Sequence, residues 1–161
     1  MGRRGNGPRK GFAGPWYGQD RERLRFESEA RRAYPHMRAK VVTNVADAGY
    51  RIRLRVEVPY YGSRRVEIRF SLSAPTIPRV YVDGPSDSPH RFPDRSLCMW
   101  HPGDPPSHRW VFEDGLLALI GYIVAHLLRE GWWRERGEWP GLEAGHVEEK
   151  LEGGRDDRLT A

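Results

Sequence analysis

The sequence predicts an α+β fold in which helices cover one face of an antiparallel sheet. Three patterns in the 161-residue chain support that prediction. A helical segment comes first, two runs of strictly alternating residues follow it, and a broad apolar stripe of helical period lies near the end. An irregular segment, which contains the only cysteine, separates the sheet from the last helix. The chain length suits one domain with tails.

The first predicted helix begins at Asp20 and ends before Pro35. Aspartate is favoured at a helix N-cap, and proline disfavours helical backbone in the residue that precedes it. Leu24, Ala30 and Tyr34 can share one face of this segment. These features together predict a helix over residues 20–34.

Two strands follow the first helix. In residues 50–58 and 64–72 apolar side chains alternate with charged or polar ones, which places one face of each strand on a core and the other in water. Residues 59–63 read Pro-Tyr-Tyr-Gly-Ser and have turn chemistry, so the two strands are predicted to form an antiparallel hairpin. Residues 40–45 and 79–82 are expected to supply further strands of a meander.

The clearest helical pattern covers residues 113–134, where apolar residues recur at helical spacing and form a broad stripe. Trp132 and Trp133 extend the stripe, and Gly131 is expected to kink or end the helix. Residues 83–108, between the sheet and this helix, consist largely of Pro, Gly, Ser, Asp and His. An irregular segment of that length in so small a domain is expected to be functional or disordered.

Composition divides the chain into three regions. Residues 1–15 are predicted to be a disordered basic arm, residues 16–147 the folded domain, and residues 148–161 a charged tail. The net charge is +5, yet residues 1–40 alone carry 11 basic and 4 acidic side chains. Any contact with nucleic acid or an acidic surface would therefore involve the arm and not the folded body, and a nucleic-acid partner is not expected. No secretory signal or membrane span is visible, so we expect a cytoplasmic protein without a membrane partner.

Cys98 allows three interpretations. A single cysteine excludes an internal disulfide and any CxxC zinc or redox pair. Cys98 could be a small buried hydrophobic residue, or a zinc ligand together with His101, His108 and either His90 or His146. It could also be a catalytic thiol, which needs access and thiolate character. The residues by themselves leave these alternatives open.

Residues 74–100 resemble the active-site region of the ubiquitin-conjugating enzyme family. In that family a proline-rich strand exit leads to a His-Pro-Asn motif and then to a catalytic cysteine between apolar residues. His90 stands at the motif histidine, although closer to the thiol than in the eukaryotic motif, and the string SLCM around Cys98 resembles the cysteine segment. Trp110 and the long helix after it resemble the tryptophan and helix that follow the active site.

A closer resemblance is to a bacterial branch of this family, the standalone conjugating enzymes of antiphage defence operons, of Bil or CBASS type. The string HRFPDRSLCMW resembles the cysteine motif of that branch, with Arg95 where glycine is common. The string GWWRERGEWPGLEAGH resembles its Trp-rich ending, and the matching positions there are Gly137, Trp139, Gly141, Glu143 and His146. Two separated motifs in the right order make the resemblance specific.

The resemblance implies that Cys98 accepts the C-terminus of a carrier protein as a thioester, which a target lysine then attacks. The residues expected to line this site or to shape its motif are His90, Asp94, His101, Trp110 and His146. A structural role is the first expectation for His90. The family's motif asparagine, which steadies the oxyanion, has no counterpart in residues 83–108. Main-chain amides near the cysteine, or His101, are the expected donors.

The resemblance leaves two carriers open, and it implies an activating enzyme as a partner but no cofactor or metal. The carrier is a ubiquitin-like protein, which is slightly favoured as the general family function, or the C-terminus of a cGAS-like nucleotide cyclase. The charged residues 21–32 would suit an acidic surface of the activating enzyme, and a solvated helix face explains them equally well. The rival functions are a non-catalytic binding module of the same fold and a Cys-His hydrolase, which needs a base histidine held against the thiol.

Overall fold

Helix α1, four antiparallel strands and helix α2 follow one another in the predicted order, so the predicted α+β class is confirmed. The computed structural model describes residues 14–141. The predicted charged tail and all but the end of the predicted arm lie outside that range. The helices are α1 (Asp20–Ala33) and α2 (Gly115–Arg136), and the strands are β1 (Arg38–Val42), β2 (Gly49–Val58), β3 (Gly62–Ser71) and β4 (Pro78–Val82).

The strands lie in the sheet in chain order, each antiparallel to the next. β2 and β3 pair along their whole length of 10 residues each, which is the predicted hairpin. Their connection places Tyr60 at a φ of 68° and Gly62 at a φ of 79°, in the left-handed region that glycine enters without steric cost. β1 and β4 form the two edges, and β4 is the strand from which the irregular segment leaves.

The core lies between one face of the sheet and the two helices. Each large aliphatic side chain buried there stabilises the fold by roughly 1.5–3 kcal/mol relative to exposure. The buried residues of the hairpin are Ile52, Leu54, Val56, Val58, Val66, Ile68 and Phe70, and those of α2 are Leu116, Leu119, Ile120, Ile123 and Leu127. The alternate hairpin residues point to the opposite, outer face, which no helix covers within residues 14–141. In the same range no helix has the length and apolar character needed to cross a membrane.

α2 continues past Gly131 to Arg136, so the prediction that Gly131 could end the helix is wrong. The glycine is needed for packing instead, because a Cβ at this position would overlap the ring of Tyr61. The helix ends at Gly137, which has a left-handed φ of 75° and donates its N–H to the carbonyl of Trp133 at 2.7 Å. This is the usual way in which glycine ends a helix.

Candidate active site

The segment that follows β4 folds back along this edge strand and carries Cys98. The N–H of Leu97 donates to the carbonyl of Val80 in β4 at 2.9 Å, and the N–H of Cys98 donates to the carbonyl of His90 at 3.0 Å. Residues 90–98 therefore form a closed loop, which we call the thiol loop. Because the loop is hydrogen-bonded to β4, the edge of the sheet sets the position of the cysteine.

The side chain of Cys98 is half-buried and free of any disulfide. Burial raises the pKa of its thiol, and the positive charge of Arg79 partly opposes that change. Arg79 projects from β4 towards the thiol loop, with Nη1 3.4 Å from Oγ of Ser96 and its guanidinium over the ring of Phe92. The cysteine is thus partly accessible, and at neutral pH its thiol form predominates.

Asp94 fixes the turn of the thiol loop. Its carboxylate accepts hydrogen bonds from the N–H of Ser96 at 3.0 Å, from the hydroxyl of Ser96 at 2.6 Å and from the hydroxyl of Tyr81 at 3.0 Å. Partial burial acts to raise the pKa of Asp94, but the hydrogen bonds outweigh it and lower the pKa. Arg95 adopts a left-handed φ of 68° in this turn, which is the physical reason why glycine suits the position.

The ring of His90 packs against Trp139, with centroids 4.2 Å apart. Trp139 belongs to the Trp-rich motif, and its ring also lies 5.2 Å from that of His126 on α2. His126 is buried, with Nε2 3.5 Å from Oε1 of Glu130. The two sequence motifs, far apart in the chain, therefore meet beside the thiol loop.

A buried ion pair links the thiol loop to α2. The guanidinium of Arg91 donates to Glu130 through Nε at 2.6 Å and through Nη2 at 2.8 Å, and the hydroxyl of Ser88 donates to the same carboxylate at 2.6 Å. The Glu130 side chain is 0% exposed and that of Arg91 is 4% exposed. Burial acts to raise the pKa of Glu130, but its hydrogen bonds and the charge of Arg91 lower it far below the ordinary range.

Neither Arg91 nor Glu130 was predicted from the sequence as part of the site. The available signal is the place of Glu130 on α2, four residues after the buried His126 and on the side of the helix that the core residues occupy. A carboxylate on an apolar helix face is costly to bury unless it is paired, so its position indicates a buried partner.

His101 is exposed and forms hydrogen bonds within its own turn. Its backbone N–H donates to the carboxylate of Asp104 at 3.0 Å, and its ring Nδ1 accepts from the backbone N–H of Gly103 at 3.0 Å. Since Nδ1 is an acceptor, the proton of the neutral imidazole lies on Nε2. His101 therefore presents a donor to solvent on the turn that follows the cysteine.

Trp110 lies in the core, 2% exposed, and its Nε1–H donates to the carbonyl of Gly115 at 2.9 Å. This bond ties Trp110 to the first turn of α2, and its ring packs against those of Phe26 and Trp100. Trp110 thus anchors the start of α2 rather than facing the thiol loop. His146, the last of the predicted site residues, lies outside the described residues.

Within the described part of the chain, no three His, Cys, Asp or Glu side chains are grouped so that they could hold a metal ion. The zinc interpretation required Cys98, His101 and His108 to converge, and these residues do not form such a group. His108 is exposed on a short 3₁₀ helix, Pro106–His108.

A comparison with known protein families identifies a matching family. A family model described as "Type II CBASS E2 protein" matches residues 25–147, which include the larger part of α1 and all of the sheet, the thiol loop and α2. No curated protein and no solved structure matches the chain.

Proposed function

Because the chain belongs to the Type II CBASS E2 family, a conjugating-enzyme-like family of antiphage defence operons, we propose that Cys98 carries the C-terminal carboxyl group of another protein as a thioester. The observation that supports this most directly is the half-buried cysteine at the end of a loop hydrogen-bonded to the sheet. The arrangement gives the thiol partial access and a defined position, while burial raises its pKa, so the thiolate that reacts is the minor form at neutral pH.

The proposed reaction has two acyl transfers. In the first, the Cys98 thiolate attacks the thioester that joins the carrier to an activating enzyme, and the thiolate of that enzyme leaves. In the second, the neutral amine of a target lysine attacks the new thioester, the Cys98 thiolate leaves, and the nitrogen loses a proton as the amide forms. The first transfer exchanges one thioester for another, so positioning is the main contribution asked of the enzyme.

The oxyanion that forms in the second transfer needs a hydrogen-bond donor. Because the motif asparagine has no counterpart in residues 83–108, another group must supply that donor. The N–H groups of Leu97 and Cys98 already donate to carbonyls of the protein, so they do not fill this role. We assign it to Nε2–H of His101, whose other ring nitrogen is occupied by Gly103. His101→Ala should then slow the release of a preformed thioester to free lysine while leaving thioester loading unchanged.

The decisive experiment is a loading assay with the purified protein, the activating enzyme of the operon, a candidate carrier and ATP, read on a non-reducing gel. Wild type should give a higher band that disappears on reduction, Cys98→Ala should give no band, and Cys98→Ser should give a band that resists reduction. Ser107→Ala, an exposed change outside the thiol loop, is the matched control. Absence of a reducible band with every carrier would contradict the proposal.

The assay also separates the carriers and the rival functions. The slightly favoured carrier is a ubiquitin-like protein, the general conjugating-enzyme carrier, and the C-terminus of a cGAS-like cyclase is the second candidate. Release of free carrier without any conjugate would indicate a hydrolase. Partner binding that Cys98→Ala leaves intact, with no adduct in wild type, would indicate a binding module.

A further inference from the structure

The outer face of the sheet carries a continuous row of positive charge. Lys40 in β1 lies opposite Arg51 in β2, Arg51 lies opposite Arg69 in β3, and Arg69 lies opposite Arg79 in β4. We call these four residues the cation row. Adjacent strands are about 4.8 Å apart, so the row extends roughly 14 Å across the sheet.

The cation row works against the stability of the sheet. Like charges directly opposite one another on neighbouring strands are destabilising, and the row contains three such contacts in succession. Two more such pairs, Arg38 opposite Arg53 and Arg55 opposite Arg65, lie on the same face. The alternation that builds the core requires only that these outward positions be polar. A mixture of positive and negative side chains would meet that requirement without repulsion between neighbouring strands. Folding therefore does not explain the concentration of positive charge.

The mixture of groups on this face fits a protein better than a nucleic acid. Asp47 forms an ion pair with Arg51, and Glu67 forms ion pairs with Arg53 and Arg69, so carboxylates interrupt the positive surface. The face therefore carries charges of both signs, unlike the continuous basic stripe that is typical of a nucleic-acid interface. Among outward positions of the four strands Tyr81 is the one aromatic residue, and the Arg69 guanidinium already covers its ring, which leaves no platform for base stacking.

An open cavity beside the row indicates what the partner would present. Its volume is about 590 Å³, and Arg51, Arg69 and Arg79 line it together with the 45–49 connection. Two exposed apolar side chains are part of this lining, Val45 from the connection and Leu72 from the residue directly after β3. Three guanidinium groups beside two apolar side chains suit a segment with carboxylates and a neighbouring apolar residue.

We propose that the outer face of the sheet, along the cation row, docks an acidic segment of a partner protein. The proposal goes beyond the thioester chemistry and does not need it, because the row and the cavity exclude Cys98. The row ends at Arg79, which contacts Ser96 of the thiol loop, so a docked segment would lie next to the loop that carries the cysteine.

The test is direct binding of a fluorescein-labelled octaglutamate peptide to the full chain, measured by anisotropy at low salt, with amide shifts mapped by NMR. Lys40→Glu with Arg55→Glu should weaken binding about tenfold, equivalent to about 1.4 kcal/mol. The matched control, Arg21→Glu with Arg129→Glu, changes net charge equally on exposed positions of the two helices and should leave affinity within about twofold. Cys98→Ala should bind as wild type does.

The melting temperature distinguishes a variant that has lost binding because it is unfolded from one that is folded but binds weakly. Lys40→Glu and Arg55→Glu turn like-charge pairs with Arg51 and Arg65 into opposite-charge pairs, so this variant should melt at a higher temperature than wild type. Equal weakening by the helix control would overturn the proposal, since net charge alone would then explain binding. Absence of peptide binding, or tighter binding of a single-stranded oligonucleotide of equal charge, would overturn it as well.

Discussion

Glu130 on α2 receives two hydrogen bonds from the guanidinium of Arg91, at 2.6 and 2.8 Å, in a site that neither side chain shares with solvent. Arg91 follows His90, whose carbonyl accepts the N–H of Cys98. α2 therefore holds the thiol loop through this ion pair, and β4 holds it through the hydrogen bond from the N–H of Leu97 to the carbonyl of Val80. Each partner makes the other's charge tolerable in the interior.

Glu130→Ala should lower the free energy of unfolding by about 3–5 kcal/mol, because it leaves the Arg91 charge buried without a partner. Replacing both residues by Met should cost much less, since no charge is then stranded. Denaturant unfolding measures both values, and Arg134→Ala, which removes a longer and partly exposed contact with Glu130, is the control. A double variant as unstable as Glu130→Ala would show that stranded charge is not the cause.

The thiol of Cys98 should react slowly with iodoacetamide at neutral pH, because burial raises its pKa and the thiolate is the reactive form. The rate should climb with pH and continue to climb beyond the ordinary thiol pKa of about 8.5. Arg79→Ala removes the charge that favours the thiolate, so its curve of reaction rate against pH should be displaced to still higher pH. The curve of Arg79→Lys, which keeps the charge, should lie close to that of wild type. Arg53→Ala, exposed on the sheet, is the distant control, and a curve for Arg79→Ala at lower pH would refute the assignment.

Arg95→Gly should be more stable than Arg95→Ala by roughly 1 kcal/mol, because a side chain at left-handed φ is strained and glycine is not. Both variants lose the hydrogen bond from the Arg95 guanidinium to the hydroxyl of Ser86, so their difference isolates the backbone. Thermal unfolding gives the comparison. Equal stability of the two variants would mean that position 95 does not keep this conformation in solution.

Gly131→Ala should destabilise the protein by roughly 1 kcal/mol, because the overpacking against Tyr61 exceeds the gain in helix propensity. Gly121→Ala is the matched control on the same helix: its Cβ meets nothing within 4 Å, so propensity should raise stability by about 1 kcal/mol. In a Tyr61→Ala background the cost at position 131 should vanish. Persistence of that cost would point to a different neighbour.

Local sequence patterns were sufficient to predict the class and order of the elements. The two-residue alternation in β2 and β3 and the apolar stripe of α2 arise from which face a side chain occupies, and that depends only on residue type and period. The cysteine motif likewise led to Cys98 as the candidate nucleophile, and the structure places this residue at the end of the thiol loop. The same reasoning misjudged Gly131, since the Tyr61 ring that requires a glycine comes from a distant turn.

The tertiary structure decided everything that depends on residues far apart in the chain. The pairing of Arg91 with Glu130, the contact of His90 with Trp139 and the alignment of the cation row all join separate elements. It also placed Trp110 in the core at the first turn of α2 and His101 on an exposed turn. Burial and the distance between charges set the energies of these groups, and a linear sequence specifies residue types without either quantity.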